Sequence, residues 1–192
     1  MDAIMIALVA VLLANTDGRS GSFLSRLIAT RDDGRVVVVA AAASFIVNAL
    51  VAAVGGSLLH RMVGQGVVAL FVAFALATAA VALLWRGRLM PDDGAIVSVP
   101  PARLGVRLLL LQFGDRSHFL IAALAATSGA GLWAAAGGFV GWLLATLPFL
   151  AFGPALAATG LVRYVRLLSA ALLAIWAVAT TLRAFGLIAG SA

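Results

Sequence analysis

The chain contains no cysteine, no lysine and no glutamate. Without cysteine there is no disulfide framework, thiolate zinc site, iron–sulfur ligand or thiol nucleophile. Without lysine and glutamate, all 13 basic residues are Arg and all 7 acidic residues are Asp, at positions 2, 17, 32, 33, 92, 93 and 115. Charge is scarce altogether, at 10% of residues against roughly 25% in a soluble domain. Apolar residues fill the space instead: they make up 64% of the 192 positions, and the mean hydropathy is +1.16. The composition therefore points to an all-α integral membrane protein. Runs such as 36–54 and 67–84 come close to or reach the ~20 apolar residues that cross a bilayer as helix.

A net charge of +6 would suit nucleic acid only if the arginines formed a stripe. They are scattered over short loops instead, so the expected partner is the lipid bilayer and the charge is read as setting topology, with no nucleic acid involved. Met1-Asp2-Ala3 has no basic n-region, so the first apolar stretch is expected to be half of a membrane helix rather than a cleaved leader. No phosphate-binding loop and no nucleophile-and-base set is present, and no enzymatic activity is expected.

Charge and turn residues punctuate the apolar runs into six predicted spans, near 2–29, 36–59, 65–86, 104–127, 131–157 and 160–188. One long polar connection, with Pro91-Asp92-Asp93-Gly94 and Pro100-Pro101, breaks helix. It divides the chain into residues 1–86, a linker at 87–103, and residues 104–192. The loops after spans one, three and five carry eight arginines (31, 35, 86, 88, 103, 107, 163 and 166), while the opposite loops carry Arg61 and Arg183. The positive-inside rule puts the richer set, linker included, in the cytoplasm and both termini outside, in a membrane of the bacterial inner (plasma) type. Three spans per half means the second half enters from the opposite side, the arrangement of two inverted three-helix repeats.

Two polar clusters interrupt the apolar runs at matching places. Span one holds Asn15-Thr16-Asp17-Gly18-Arg19-Ser20, and span four holds Gln112-Phe113-Gly114-Asp115-Arg116-Ser117. Each reads amide, any residue, Gly and Asp in either order, Arg, Ser. Charges at membrane depth cost about 2.5–3.5 kcal/mol each on insertion scales, so they face a bundle interior or a wet cavity and mark a pathway. A purely structural use is the alternative, in which Asp115 pairs with Arg19 or Asp17 with Arg116 to lock the halves in register.

The second cluster, continuing through His118 into Leu120-Ile121-Ala122-Ala123-Leu124-Ala125-Ala126, resembles the Gdt family, also called the transmembrane protein 165 family, whose hallmark is Glu-x-Gly-Asp-(Lys/Arg)-(Thr/Ser) in spans one and four. Asn48, ahead of Gly55-Gly56, also falls where that family tends to have Asn. The resemblance implies a cation/proton antiporter that exports manganese or calcium from the cytoplasm through a site between the repeats. It places the principal carboxylate at Asp115, basic residues at Arg19 and Arg116, and hydroxyls at Ser20 and Ser117. The family's glutamate positions hold Asn15 and Gln112, and the first-motif Asp position holds Gly18, with the carboxylate displaced by one to Asp17. On this reading Asp115 and Asp17 are the metal-binding residues, and Gln112, Asn15, Ser117 and Ser20 supply neutral oxygens. No cofactor is implied beyond the transported ion.

These departures alter the electrostatics. The family pattern carries two net negative charges and balances a divalent cation, whereas two Asp and two Arg cancel here, and hard cations depend on carboxylate oxygen to replace water. Amides do not titrate, which leaves His118 as a candidate proton site. Gln112 and Asp115 share a helix face at i, i+3, but Asp17 lies about 160° round from Asn15 on a regular helix. It reaches the site only if the helix unwinds, for which Gly18 and the following Ser20-Gly21-Ser22 are suited. Gly137, Gly138 and Gly141 predict close helix packing, Pro148 and Pro154 a kink or break, and Trp85 and Trp133 interfacial anchors. His60, beside Arg61, is read as interfacial. A non-transporting protein that serves as a structural or regulatory partner of another membrane protein, with Arg–Asp pairs in place of the ion, stays open, as does homo-oligomerisation.

Overall fold

A computed structural model describes residues 2–85 and 99–188 of the chain, apart from the side chain at 102. Helices α1 (Asp2–Ala14), α2 (Arg19–Thr30), α3 (Gly34–Met62) and α4 (Gln65–Leu84) form the first half, and α5 (Pro101–Gln112), α6 (Arg116–Ser128), α7 (Gly131–Phe152) and α8 (Gly160–Ala184) the second, with a 3-10 turn at Pro154–Ala158. The described residues contain no strand. By length and composition α3, α4, α7 and α8 can each cross a membrane; α1 with α2 and α5 with α6 are bent pairs that bring the spans to six if each pair crosses once. These apolar helices make the chain a multi-pass membrane protein.

Each bend has the same local cause. The chain turns by 71° between α1 and α2 and by 65° between α5 and α6. At the two breaks Gly18 and Gly114 adopt φ of 70° and 73°, in the left-handed region that costs other residues about 1–2 kcal/mol. The breaks fall inside the two polar clusters, where the sequence predicted an unwound segment in the first. The predicted spans 2–29 and 104–127 are therefore interrupted rather than continuous. The fourth starts earlier, at Pro101, because proline at the first helical position gives up an N–H that has no partner there anyway. Span five stops at Phe152, where Gly153 at φ 81° and then Pro154 replace helix with the 3-10 turn, while Pro148 is accommodated inside α7. The Pro91–Gly94 segment of the linker lies outside the described residues.

The bent pairs pack on the long helices of the opposite half. On α1, Ala7, Ala10, Val11 and Ala14 are buried, a three-and-four spacing that puts them on one face, which packs against α7. The approach is so close that a Cβ on Gly137 or Gly141 would strike the α1 backbone at Ile4 or Leu8. The pair α5–α6 runs alongside α3 in the same direction: Ser44 Oγ donates to the Gly105 carbonyl at 3.1 Å, Asn48 Nδ2 to that of Leu109 at 3.0 Å, and His60 Nδ1 to that of Ala126 at 2.7 Å. His60 thus ties α3 to α6 rather than merely sitting at an interface. Helices α4 and α8 form the remaining large contact.

The core is built largely of alanine around Phe45, Leu76, Leu104, Leu108, Leu120, Ile121 and Leu173. The outer surface stays apolar, with Val39, Phe74, Leu132 and Ile175 exposed, as helices facing lipid require. Trp85 and Trp133 are exposed at the ends of α4 and α7, where amphipathic rings anchor at headgroup level. At the turn between α2 and α3, Arg31 clamps Asp33 through Nε–Oδ1 at 2.6 Å and Nη2–Oδ2 at 2.7 Å, and its Nη1 donates to the Val99 carbonyl at 2.9 Å. Its hydrogen bonds to the carboxylate hold Asp33 below its ordinary pKa, and the bond to Val99 ties the first loop to the segment that leads into α5.

Candidate functional site

The two breaks meet. Residues of the first cluster touch residues of the second at two points, so the matching positions noted in the sequence come together at one junction inside the bundle.

The first contact is an ion pair across 99 residues of chain: Arg116 Nη2 lies 2.6 Å from Asp17 Oδ1, with only 11% and 6% of the two side chains exposed. Asp17 reaches Arg116 because Gly18 releases the helix. The same carboxylate oxygen accepts the backbone N–H of Arg19 at 3.3 Å. The second is a hydrogen bond, in which Asn15 Nδ2 donates to Ser117 Oγ at 2.9 Å; within the second cluster that hydroxyl in turn donates to Asp115 Oδ2 at 3.0 Å. Asn15 is also anchored to its own helix through the Val11 carbonyl at 2.7 Å. Asn15 and Ser117 are buried, where an unpaired polar group would cost more than the bond yields.

Beside this junction lies a cavity of about 300 Å³, lined by Arg19, Ser20, Gln112, Asp115, Arg116 and His118. Leu111 and Ala82 complete its apolar side, and its aromatic wall is Phe45 and Trp142, stacked with ring centres 4.7 Å apart; Phe45 also lies 4.7 Å from the His118 ring. Several buried polar atoms here have no hydrogen-bond partner among the described residues: Gln112 Oε1, Arg116 Nε, both ring nitrogens of His118, and Asn15 Oδ1. His118 is only 5% exposed. Such atoms in a polar space of this size call for water or a bound solute.

The structure brings Asn15, Ser117 and Asp115 into one bonded chain and Asp17 and Arg116 into an ion pair beside it, and sets Arg19, Ser20, Gln112 and His118 on the cavity that Asp115 and Arg116 also line. The two carboxylates line different spaces, however. Asp115 faces the 300 Å³ cavity, and Asp17 faces a larger one on the other side of the Asp17–Arg116 pair. Among the described residues, no group of three or more His, Asp, Cys or Glu side chains is gathered to hold a metal. Asn48 braces α5 through Leu109 and does not line this cavity.

Sequence reasoning missed the aromatic wall and Ser22, a buried hydroxyl without a partner among the described residues. Phe45 and Trp142 are apolar residues in apolar helices, and nothing in their spacing marks them as lining a polar space. It also took Arg163 and Arg166 for loop charge, whereas both line the larger cavity. No family model, curated protein or solved structure matches the chain.

Proposed function

We propose that this protein is a membrane transporter of the Gdt type, moving a divalent cation against protons through the junction of its two helix breaks. The observation that carries the reading is the meeting, inside a membrane bundle, of two Gly-centred breaks whose charged residues pair across the halves beside a polar cavity. Broken helices at membrane depth are tolerated where they line such a space. The swapped packing supports two inverted three-helix repeats, since each bent pair lies on the long helix of the other half and α3 and α7 run in opposite directions. With six crossings, the end that holds Arg31, Arg103 and Arg163 is cytoplasmic by the positive-inside rule and both termini are outside.

In this scheme Arg116 is a tethered stand-in for the cargo. Its guanidinium holds Asp17 while the site is empty, which removes the cost of an unpaired buried carboxylate. Manganese or calcium arriving at Asp115, with oxygens from Gln112, Ser117 and Asn15, pushes Arg116 aside and frees Asp17. Ser20 borders the cavity as a further oxygen, and His118 is the candidate proton site there.

The test is manganese and calcium flux in proteoliposomes with a pH-sensitive dye inside, comparing the natural protein with Asp115→Asn. Cation movement with opposite proton movement, abolished in the variant, is the expected result. No flux from well-folded natural protein favours the second reading, which the complete Asp17–Arg116 pair and the cancelled charges support: a non-transporting membrane partner with the ion replaced by the pair. In that case Asn15→Glu with Gln112→Glu restores the missing negative charge and confers flux that the natural protein lacks.

A further inference from the structure

The larger cavity, about 650 Å³, opens at the arginine-rich end of the bundle between α2, the end of α4, the 3-10 turn and the first turns of α8. Arg19 and Arg26 line it from α2, and Arg163 and Arg166 from α8. Seven residues along one helix and three along the other place each pair on one face, so four guanidiniums converge on one space. Among the described residues Asp17 is the one carboxylate on its wall, and Arg116 already holds it at 2.6 Å. Among the described residues Arg26, Arg163 and Arg166 form no ion pair, and Arg166 Nε is buried without a partner. The 25-residue helix α8 begins on the same wall, with Thr159, Gly160 and Val162, and adds the positive end of its dipole.

Like charges gathered at a membrane boundary repel one another unless a counter-charge joins them. Four planar forks suit a multiply charged oxyanion that accepts paired N–H bonds, and the volume leaves room for the group to which that oxyanion is attached. We propose that this cavity binds a phosphate-bearing anion, clasped by Arg163 and Arg166 of α8 against Arg19 and Arg26 of α2. The same chemistry comes from a soluble phosphate or from the headgroup of an anionic lipid. The proposal does not rest on the transport reading, because it concerns occupancy of the larger cavity, whose lining shares Arg19 with the first, and is measured by binding rather than flux.

The full-length protein is reconstituted in phosphatidylcholine nanodiscs and titrated with inorganic phosphate and glycerol phosphate at constant ionic strength, following thermal stability. A parallel series replaces part of the lipid with phosphatidylglycerol, and bound lipid is counted by native mass spectrometry. Saturable stabilisation by soluble phosphate identifies a free anion; retention of phosphatidylglycerol without a response to soluble phosphate identifies a headgroup. In either case Arg163→Gln with Arg166→Gln is expected to weaken binding at least tenfold, while Arg61→Gln at the opposite end leaves it unchanged. Should the double variant fail to fold, the single Arg163→Gln, at an exposed position, is expected to weaken binding severalfold. Absence of both responses in the natural protein overturns the proposal, as does equal binding by the Arg163 variants or an equal loss in Arg61→Gln.

Discussion

The two helix breaks share a backbone solution and differ in everything around it. Gly18 and Gly114 take nearly the same left-handed φ, yet a Cβ on Gly18 would strike the ring of Phe149, whereas one on Gly114 would meet open space. The polar residues differ in the same sense. At the first break Asn15 and Asp17 are committed to partners from the second cluster; at the second, Gln112 and His118 keep buried polar atoms unpartnered on the cavity. The backbone of one break is packed against Phe149, while that of the other borders open space, and residues of both line the cavity. A matching pair of motifs thus need not mean a matching pair of roles.

That contrast can be broken most sharply at the ion pair. Arg116→Ala leaves Asp17 charged and buried, which is expected to cost about 3–5 kcal/mol of stability, read from denaturant unfolding in detergent; Arg116→Ala with Asp17→Ala recovers most of it. On the transport reading, the single variant also binds manganese more tightly than the natural protein. Unchanged or weaker binding tells against Arg116 as a stand-in for the cation.

The glycines come next. Gly18→Ala combines left-handed strain with a clash in a packed interior and is expected to cost about 2–5 kcal/mol, whereas Gly114→Ala carries the strain alone, about 1–2 kcal/mol. Phe149→Ala in the Gly18→Ala background relieves only the clash, so partial recovery is the signature. Equal losses at the two glycines would remove the distinction between a packed and an open break. A smaller change follows from Ser117→Ala, which cuts the chain from Asn15 to Asp115; interhelical bonds of this kind in membranes contribute about 0.6–1.7 kcal/mol.

Smallest is the tie at the first loop. Because Arg31 depresses the Asp33 pKa in the folded protein, its contribution to stability is present above the unfolded carboxyl value, about 3.9, and is lost as pH falls through the lower folded value. Arg31→Ala is expected to flatten the acid limb of a stability–pH profile slightly, with no change near neutrality beyond the loss of the clamp.

Much of the architecture was legible in the residues. Apolar runs between charges located the long helices α3, α4, α7 and α8 because lipid demands continuous apolar surface, and that demand is written residue by residue. The cluster around Gly18 announced a break because no regular helix brings Asp17 and Asn15 to the same side. The break at Gly114 was less legible, since Gln112 and Asp115 already share a face on an unbroken helix. Nor did the sequence separate the two readings of the charged clusters, because a pathway and a lock use the same residues. Arg163 and Arg166 show the same limit: a loop arginine that sets topology and one that lines a cavity look identical until the neighbouring helices are in place.

The sequence by itself determined the solvent this chain requires, the positions of its helices and where two of them must carry charge into the membrane, because each follows from local composition and spacing. Only the tertiary structure decided that Asp17 meets Arg116, that Asp115 faces a different cavity from Asp17, and that four arginines from two helices surround one space. Those outcomes depend on which helix lies against which, and contacts between residues about a hundred positions apart have no periodicity from which to read them.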